Sequence, residues 1–224
     1  MLVLLFDIDG TLLSTSGAGR LAMDASLRSE FGVEVPIVQG SISGRTDRRI
    51  ATDQFRLHGI DDTPENWRRF IDGYLRHLPE SLRTNAGRVL PGIEALLLRL
   101  VPRDDTAVGL LTGNLERGAR VKLGHYDIDR HFAFGAYGDA HHDRDAVAAE
   151  AWQLVQARCG EGVRPDDVWV IGDTPWDVRC ARAIGARAVA VATGTYTLAQ
   201  LAEEQPDVAV ADFDSAEELL RLWE

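Results

Sequence analysis

The feature that most constrains this chain is the apolar run Leu2 to Phe6, followed at once by Asp7-Ile8-Asp9-Gly10-Thr11. A short run of this kind, bounded by polar residues, reads as a strand buried on both faces, the kind found in parallel sheets covered by helices. Open parallel sheets bind their ligands at the C-terminal ends of the strands. The first strand therefore delivers two carboxylates, two residues apart, to a catalytic position. One carboxylate can act as a nucleophile and the other as a general acid and base, while Gly10 allows a tight turn and the close approach of a ligand. The plainer reading of the same residues is a strand end followed by an Asp-Gly turn.

Three further segments supply the parts that such chemistry needs. Ala107 to Leu111 is a second apolar run and ends in Thr112-Gly113-Asn114, a hydroxyl and backbone amides suited to holding a phosphoryl oxygen. Val168 to Ile171 is a third, and Gly172-Asp173-Thr174-Pro175-Trp176-Asp177 behind it brings two more carboxylates to a strand end. Arg144, within Asp143-Arg144-Asp145, opens the helical stretch before that strand and offers a fixed positive charge. Simple helix capping is the competing account of Thr112, and a helix N-terminal acid that of Asp177.

A chain of 224 residues with 45% hydrophobic and 26% charged residues can bury a sizeable core. Its formal net charge of -11 excludes a broad basic field for nucleic acid or an anionic membrane. An anionic substrate must be attracted locally, by a cation and a few arginines. The N-terminal apolar run is broken by Asp7, too early for a signal-peptide core, and no segment approaches the roughly 20 apolar residues of a membrane helix. Cys159 and Cys180 form no ligand-spaced pair, so a reducing cytoplasm is the expected location. His141 and His142 are adjacent in a polar loop and read as exposed side chains rather than metal ligands.

After residue 87 helix-like and strand-like patterns alternate, which implies a sheet covered on both faces. The strands are expected at Leu2 to Phe6, Ala107 to Leu111, His131 to Gly135, Val168 to Ile171, Arg187 to Val191 and Val208 to Val210. Residues 15 to 86 break the alternation. Gly19 to Phe31, Thr46 to Leu57 and Pro64 to Arg83 each carry helix periodicity, with acids near the last two starts. The expectation is an α/β protein with a Rossmann-like parallel sheet core, residues 1–14 and 87–224, and an inserted α-helical cap, residues 15–86.

Taken together these motifs resemble the haloacid dehalogenase superfamily of phosphohydrolases, whose Asp-x-Asp-Gly-Thr, Thr/Ser, Lys/Arg and Gly-Asp-x-x-x-Asp elements occur here in the same order. Gly17-Ala18-Gly19-Arg20, Ser43-Gly44-Arg45-Thr46-Asp47, Leu90-Pro91-Gly92 and Ala192-Thr193-Gly194-Thr195-Tyr196 are similar to its phosphoglycolate phosphatase-like branch, which carries a small helical cap. The resemblance implies a magnesium-dependent phosphatase acting on a small phosphorylated metabolite. In it Asp7 attacks phosphorus and forms an aspartyl-phosphate, and Asp9 protonates the leaving oxygen and then activates water. Magnesium is expected on a carboxylate oxygen of Asp7, the backbone carbonyl of Asp9 and the side chain of Asp173, with Asp177 bound through water or orienting the shell. Thr112, with the backbone of Gly113 and Asn114, is expected to hold phosphoryl oxygens.

Arg144 takes the positive slot by order, although close relatives usually present Lys followed by Pro. Lys122 is the runner-up, and two turns into its helix it reads as a solvated surface lysine. Arg45 and Arg20 are candidates for a second anionic group on the substrate. Trp176 either packs beneath the cap, the favoured reading, or lines the substrate entrance. Two other functions fit the same scaffold: a phosphohexose mutase, and a non-catalytic binding protein. The latter is expected to lack one of the four motif acids, all of which are present.

Overall fold

The structure is a computed structural model that describes residues 1–37, 42–214 and 216–223. In chain order its elements begin with β1 (Leu2–Phe6), β2 (Leu13–Ser14), α1 (Ala18–Phe31), α2 (Asp47–Leu57), α3 (Pro64–Thr84) and β3 (Arg88–Val89). There follow α4 (Ile93–Leu100), β4 (Thr106–Leu111), α5 (Glu116–His125), β5 (Gly135–Ala136), α6 (Arg144–Cys159) and β6 (Val168–Gly172). The chain closes with α7 (Pro175–Ala183), β7 (Arg187–Val191), α8 (Leu198–Glu203), β8 (Val208–Val210) and α9 (Ala216–Leu222). A six-stranded sheet runs in the order β5-β4-β1-β6-β7-β8, every neighbouring pair parallel.

Strand periodicity explains the layers. Leu4 and Phe6 of β1, Trp169 and Ile171 of β6 and Val189 and Val191 of β7 face one apolar layer, filled by Leu96, Leu97 and Leu100 of α4, Leu123 of α5 and Leu219 of α9. The alternate residues Val3, Leu5, Val168, Val170, Ala188 and Ala190 face a second layer, filled from α6, α7 and α8 by Val147, Ala151, Val155, Val178 and Leu201. A sheet covered on both faces needs strands that are apolar throughout, which is why these runs show no polar alternation.

The helices α1, α2 and α3 pack on one another around a third cluster of Leu27, Phe55, Phe70, Tyr74 and Leu78. Their limits agree with the sequence expectation to within one residue. Thr46 caps α2 by accepting from Arg49 N, and Thr63 caps α3 with Pro64 in its first turn. Where the chain leaves and re-enters the sheet region, β2 and β3 form a two-stranded antiparallel ribbon, Leu13 opposite Val89 and Ser14 opposite Arg88.

One expected strand is corrected. His131 to Gly135 has the alternating apolar pattern of Phe132 and Phe134, but Asp129–His131 is a 3-10 turn and only Gly135–Ala136 pairs with β4. Phe132 turns inward onto Phe6, ring centroids 6.3 Å apart, and Phe134 lies under Arg158. Tertiary packing of two aromatic side chains, not pleating, produces the pattern. The helices α8 and α9 had no counterpart in the sequence reading. Among the described residues no helix is long and apolar enough to cross a membrane.

Candidate active site

Register brings the motif residues to one edge. Phe6 lies opposite both Leu110 and Ile171, so Asp7, Thr112 and Asp173 leave their strands within about one residue of level. Asp7 N still donates to Ile171 O at 2.9 Å and Thr112 N to Ala136 O at 3.1 Å, which fixes both side chains to the sheet frame. The chain turns at Gly10 with φ +85°, a left-handed conformation that favours glycine, and a side chain there would collide with the Asp173 carboxylate. Gly194 approaches Asp173 as closely. Thr193 Oγ1 donates to Gly10 O at 2.6 Å and Thr11 Oγ1 to Asp173 Oδ1 at 3.3 Å.

Asp7, Asp173 and Asp177 each place a carboxylate oxygen within 4.8 Å of the others, and all three are buried. Arg144, the first residue of α6, is also buried; it donates to Asp177 and, at 3.4 Å, to Asp7 Oδ1. Burial works against the Arg144 charge, but Asp177 and Asp7 outweigh it and raise its pKa. Asp177, expected to bind the ion through water or to orient its shell, lies within the cluster. It also closes a capping box at the start of α7, accepting from Thr174 N at 3.0 Å and Thr174 Oγ1 at 2.7 Å. Asp173 meets no cation among the described residues. Burial, then the charges of Asp177 and Asp7, push it up to about 8.

Three carboxylates facing one guanidinium leave an excess of buried negative charge, which is costly without a counter-ion. An oxygen-only donor set at this spacing fits a hard divalent cation.

The second aspartate has different company. Asp9 Oδ2 accepts from Lys122 Nζ at 2.5 Å and Asn114 Nδ2 at 3.0 Å, and Oδ1 accepts from Thr15 Oγ1 at 3.2 Å. Burial raises the Asp9 pKa, but the Lys122 charge and these hydrogen bonds outweigh it and hold the group below the usual carboxylate range. The expectation of a solvated Lys122 is therefore corrected: its side chain is only 5% exposed. A signal was present, because Lys122 lies three residues after Ala119 and seven after Leu115, on the apolar stripe of α5. Asn114, whose backbone N–H was expected to meet a phosphoryl oxygen, donates its side-chain amide to Asp9 Oδ2 and Thr112 Oγ1, and its N–H lies 3.3 Å from Thr112 Oγ1.

The family model for haloacid dehalogenase-like hydrolases matches residues 1–185. The chain belongs to that family. It is 26% identical over 218 residues to phosphoglycolate phosphatase 1 of Pseudomonas aeruginosa, covering 93% of this chain and 75% of that protein. To the phosphoglycolate phosphatase of Pseudomonas syringae pv. tomato it is 25% identical over 215 residues, 94% of this chain and 76% of that one. A hydrolase of known crystal structure from Pseudomonas syringae shares the fold with a TM-score of 0.74 at 21% identity, both chains covered completely.

In this haloacid dehalogenase-like hydrolase the motif residues open into a cavity of about 740 Å³ between the strand ends and the helices α1 and α2. Asp7, Asp9, Arg144 and Asp173 line it from below, and Gly19, Arg20, Arg45 and Asp47 from above. The start of α2 is fastened to the loop after β4. Asp47 N donates to Gly113 O at 2.7 Å, and Leu115 N returns a bond to Asp47 Oδ2 at 2.9 Å. Asp47 was read only as a helix-start acid. Burial pushes its carboxyl up to about 6, against the pull of Lys122 and the Leu115 N–H.

Arg45 lines the cavity with its guanidinium turned onto Asp53, and Arg20 bonds Asp24 through Nε at 2.8 Å while its Nη2 is buried without a partner. Trp176 is 38% exposed and lies against Gly44, with Arg179 over its ring. His141 bonds Glu150 at 2.8 Å, apart from the acid cluster.

Proposed function

We propose that this protein is a magnesium-dependent phosphatase that hydrolyses a small phosphorylated metabolite through an aspartyl-phosphate on Asp7. The observation that carries this reading is the convergence of Asp7, Asp173 and Asp177 at the sheet edge with Arg144 bonded to Asp7. Relatives named phosphoglycolate phosphatase, similar along most of their length, support it. Magnesium on Asp7, Asp173 and the Asp9 carbonyl would supply charge neutralisation for the phosphoryl oxygens.

Asp7 attacks phosphorus in line, with Arg144 fixing its carboxylate. The Thr112 hydroxyl and the amide of Gly113 receive non-bridging oxygens as charge builds on them. Asp9 donates a proton to the leaving oxygen and later takes one from water. Held ionised by Lys122, it is already in the accepting state. For the first step it has to carry a proton, and a negative ester entering the cavity favours that loading by like-charge proximity. Residues 15–86 act as a cap, whose two crossings at Ser14 to Ser16 and Ala86 to Leu90 allow opening and closing. Arg45 and the unpaired Nη2 of Arg20 are placed to meet a second anionic group on the substrate. Cys159 and Cys180 are free thiols, in keeping with a cytoplasmic enzyme.

Hydrolysis of p-nitrophenyl phosphate with and without magnesium, then a panel of phosphoglycolate, sugar phosphates, nucleoside monophosphates and pyrophosphate ranked by kcat/KM, tests the reading. No turnover of any of them in either condition would overturn it.

A further inference from the structure

In the proposed chemistry one buried cation, Lys122, serves only as a counter-charge to Asp9. Arg144 already serves Asp7, while Lys122 lines the same cavity and is equally shielded from solvent. Its Nζ donates to Asp9 Oδ2 and to Asn114 Oδ1, each at 2.5 Å. Asn114 in turn donates to the same Asp9 oxygen and to Thr112 Oγ1 at 2.9 Å. With Thr15 on the other oxygen, the Asp9 carboxylate is held in one orientation by three side chains from three separate parts of the chain.

The insertion closes over this cluster at a glycine. A Cβ on Gly19 of α1 would lie 3.2 Å from Lys122 Nζ and 3.3 Å from its Cε, so the helix rests on the lysine with no side chain between. The Tyr74 hydroxyl of α3, buried and without a hydrogen-bond partner, lies 4.0 Å from the same point. Lys122 is thus enclosed by α1, α3 and the loop after β4.

We propose that Lys122 is a positioning residue for Asp9. It sets the direction in which that carboxylate meets the leaving oxygen, and it ties the direction to the seating of α1 above and, through Asn114, to Thr112 beside it. Each aspartate then has its own cation. The inference rests on the reading of Asp9 as the proton-transfer group.

The test is leaving-group dependence, which a merely structural lysine does not move. Lys122→Met keeps most of the aliphatic stem and removes the donors. Because kcat/KM ends at departure of the leaving group, it reports proton donation separately from hydrolysis of the aspartyl-phosphate. The kcat/KM for an alkyl ester such as glycerol phosphate is expected to fall about 10²-fold, and that for p-nitrophenyl phosphate less than about tenfold, since p-nitrophenolate departs without a proton. Gly19→Ala, which crowds the ammonium without removing it, should give the same pattern on a smaller scale and decides the matter if Lys122→Met does not fold. Equal losses on both esters, or none, would overturn the proposal. If the native protein hydrolyses neither ester, it is the phosphatase reading that fails. A crystal structure of Lys122→Met then decides the positioning: an Asp9 side chain turned away from Thr15 and Asn114 supports it, and an unmoved one refutes it.

Discussion

The two aspartates at the end of β1 are two residues apart and live in opposite electrostatic settings. Asp7 stands among buried carboxylates, with Asp173 and Asp177 beside it and Arg144 as the neutralising group. Asp9 stands among donors, with Lys122, Asn114 and Thr15 on its oxygens. The first setting is short of positive charge and calls for a cation. The second is balanced without one. A group that attacks phosphorus must stay ionised and fixed, whereas a group that carries protons needs different surroundings, and the fold provides both with only Ile8 between the two aspartates.

Removing each carboxylate in turn is the strongest test of that contrast. Asp7→Asn should lower kcat about 10⁴-fold or more on every ester, as expected for loss of a nucleophile, with the melting temperature unchanged or raised as one like charge leaves the cluster. Asp9→Asn should cost about 10²- to 10⁴-fold on alkyl esters and much less in kcat/KM for p-nitrophenyl phosphate. Equal losses for the two variants on p-nitrophenyl phosphate would erase the distinction.

Cation removal is the next largest effect. Chelation should abolish turnover and magnesium restore it, while calcium, with its larger and looser shell, should inhibit. A readout independent of activity follows from Asp173. Its pKa is raised to about 8 by burial and by Asp177 and Asp7, so the neutral form is the one the fold prefers. For a raised carboxyl, stability is fully present below the unfolded value near 4 and is lost as pH rises through 8. The melting temperature of the metal-free protein should fall across that window, and magnesium should raise it more at pH 8.5 than at pH 5. An equal magnesium shift at both values would count against a cation at Asp173.

Asp47 tests the junction between the two settings. Burial lifts it to about 6, so its ionised form weighs against the folded state above that pH. Asp47→Asn keeps an acceptor for Leu115 N and removes the charge. It should stabilise the protein at pH 8 by ~1–3 kcal/mol and leave it unchanged near pH 4, as read by denaturant unfolding. Destabilisation at pH 8 would mean that attraction to Lys122 outweighs burial.

The sequence made the Asp7 side legible and the Asp9 side largely not, for a physical reason. Asp7, Thr112 and Asp173 follow uninterrupted apolar runs, and parallel register alone brings the ends of such runs together. Arg144 sits at a helix start, where its order before β6 places it. Lys122, Asn114 and Asp47 meet only because α5, α1 and the start of α2 pack at one particular set of contacts, with Gly113 admitting the Arg45 backbone where a side chain would collide and Gly19 resting close on the lysine. No spacing along the chain encodes that meeting. Lys122 on the apolar stripe of α5 was the one trace of it, and a lysine there invites the reading of a long stem reaching water. The edge strand after Asp129 failed for the reverse reason, since a buried Phe132 and a half-buried Phe134 imitate an alternation that the backbone does not follow.

The smallest expected effect lies farthest from both aspartates, at Arg45. Its guanidinium bonds Asp53, is about a quarter exposed and lines the cavity from the insertion side. Such a partly solvated pair contributes ~0–1 kcal/mol, so Arg45→Ala should barely change the melting temperature. Its effect on turnover should depend on what the substrate carries beyond the phosphoryl group. For an ester with a second anionic group, such as phosphoglycolate, the lost charge-assisted hydrogen bond corresponds to a fall in kcat/KM of about tenfold, chiefly through KM. For p-nitrophenyl phosphate, which offers the arginine nothing, the fall should be only a small part of that, so the ranking of substrates changes rather than the chemistry. Arg20, with an unpaired Nη2 on the same wall, serves as the internal comparison. A larger shift in ranking from Arg20→Ala would move the second anion site from α2 to α1. A uniform loss of orders of magnitude from Arg45→Ala would instead put that residue in the phosphoryl site and undo the division between a reactive sheet edge and a selective insertion.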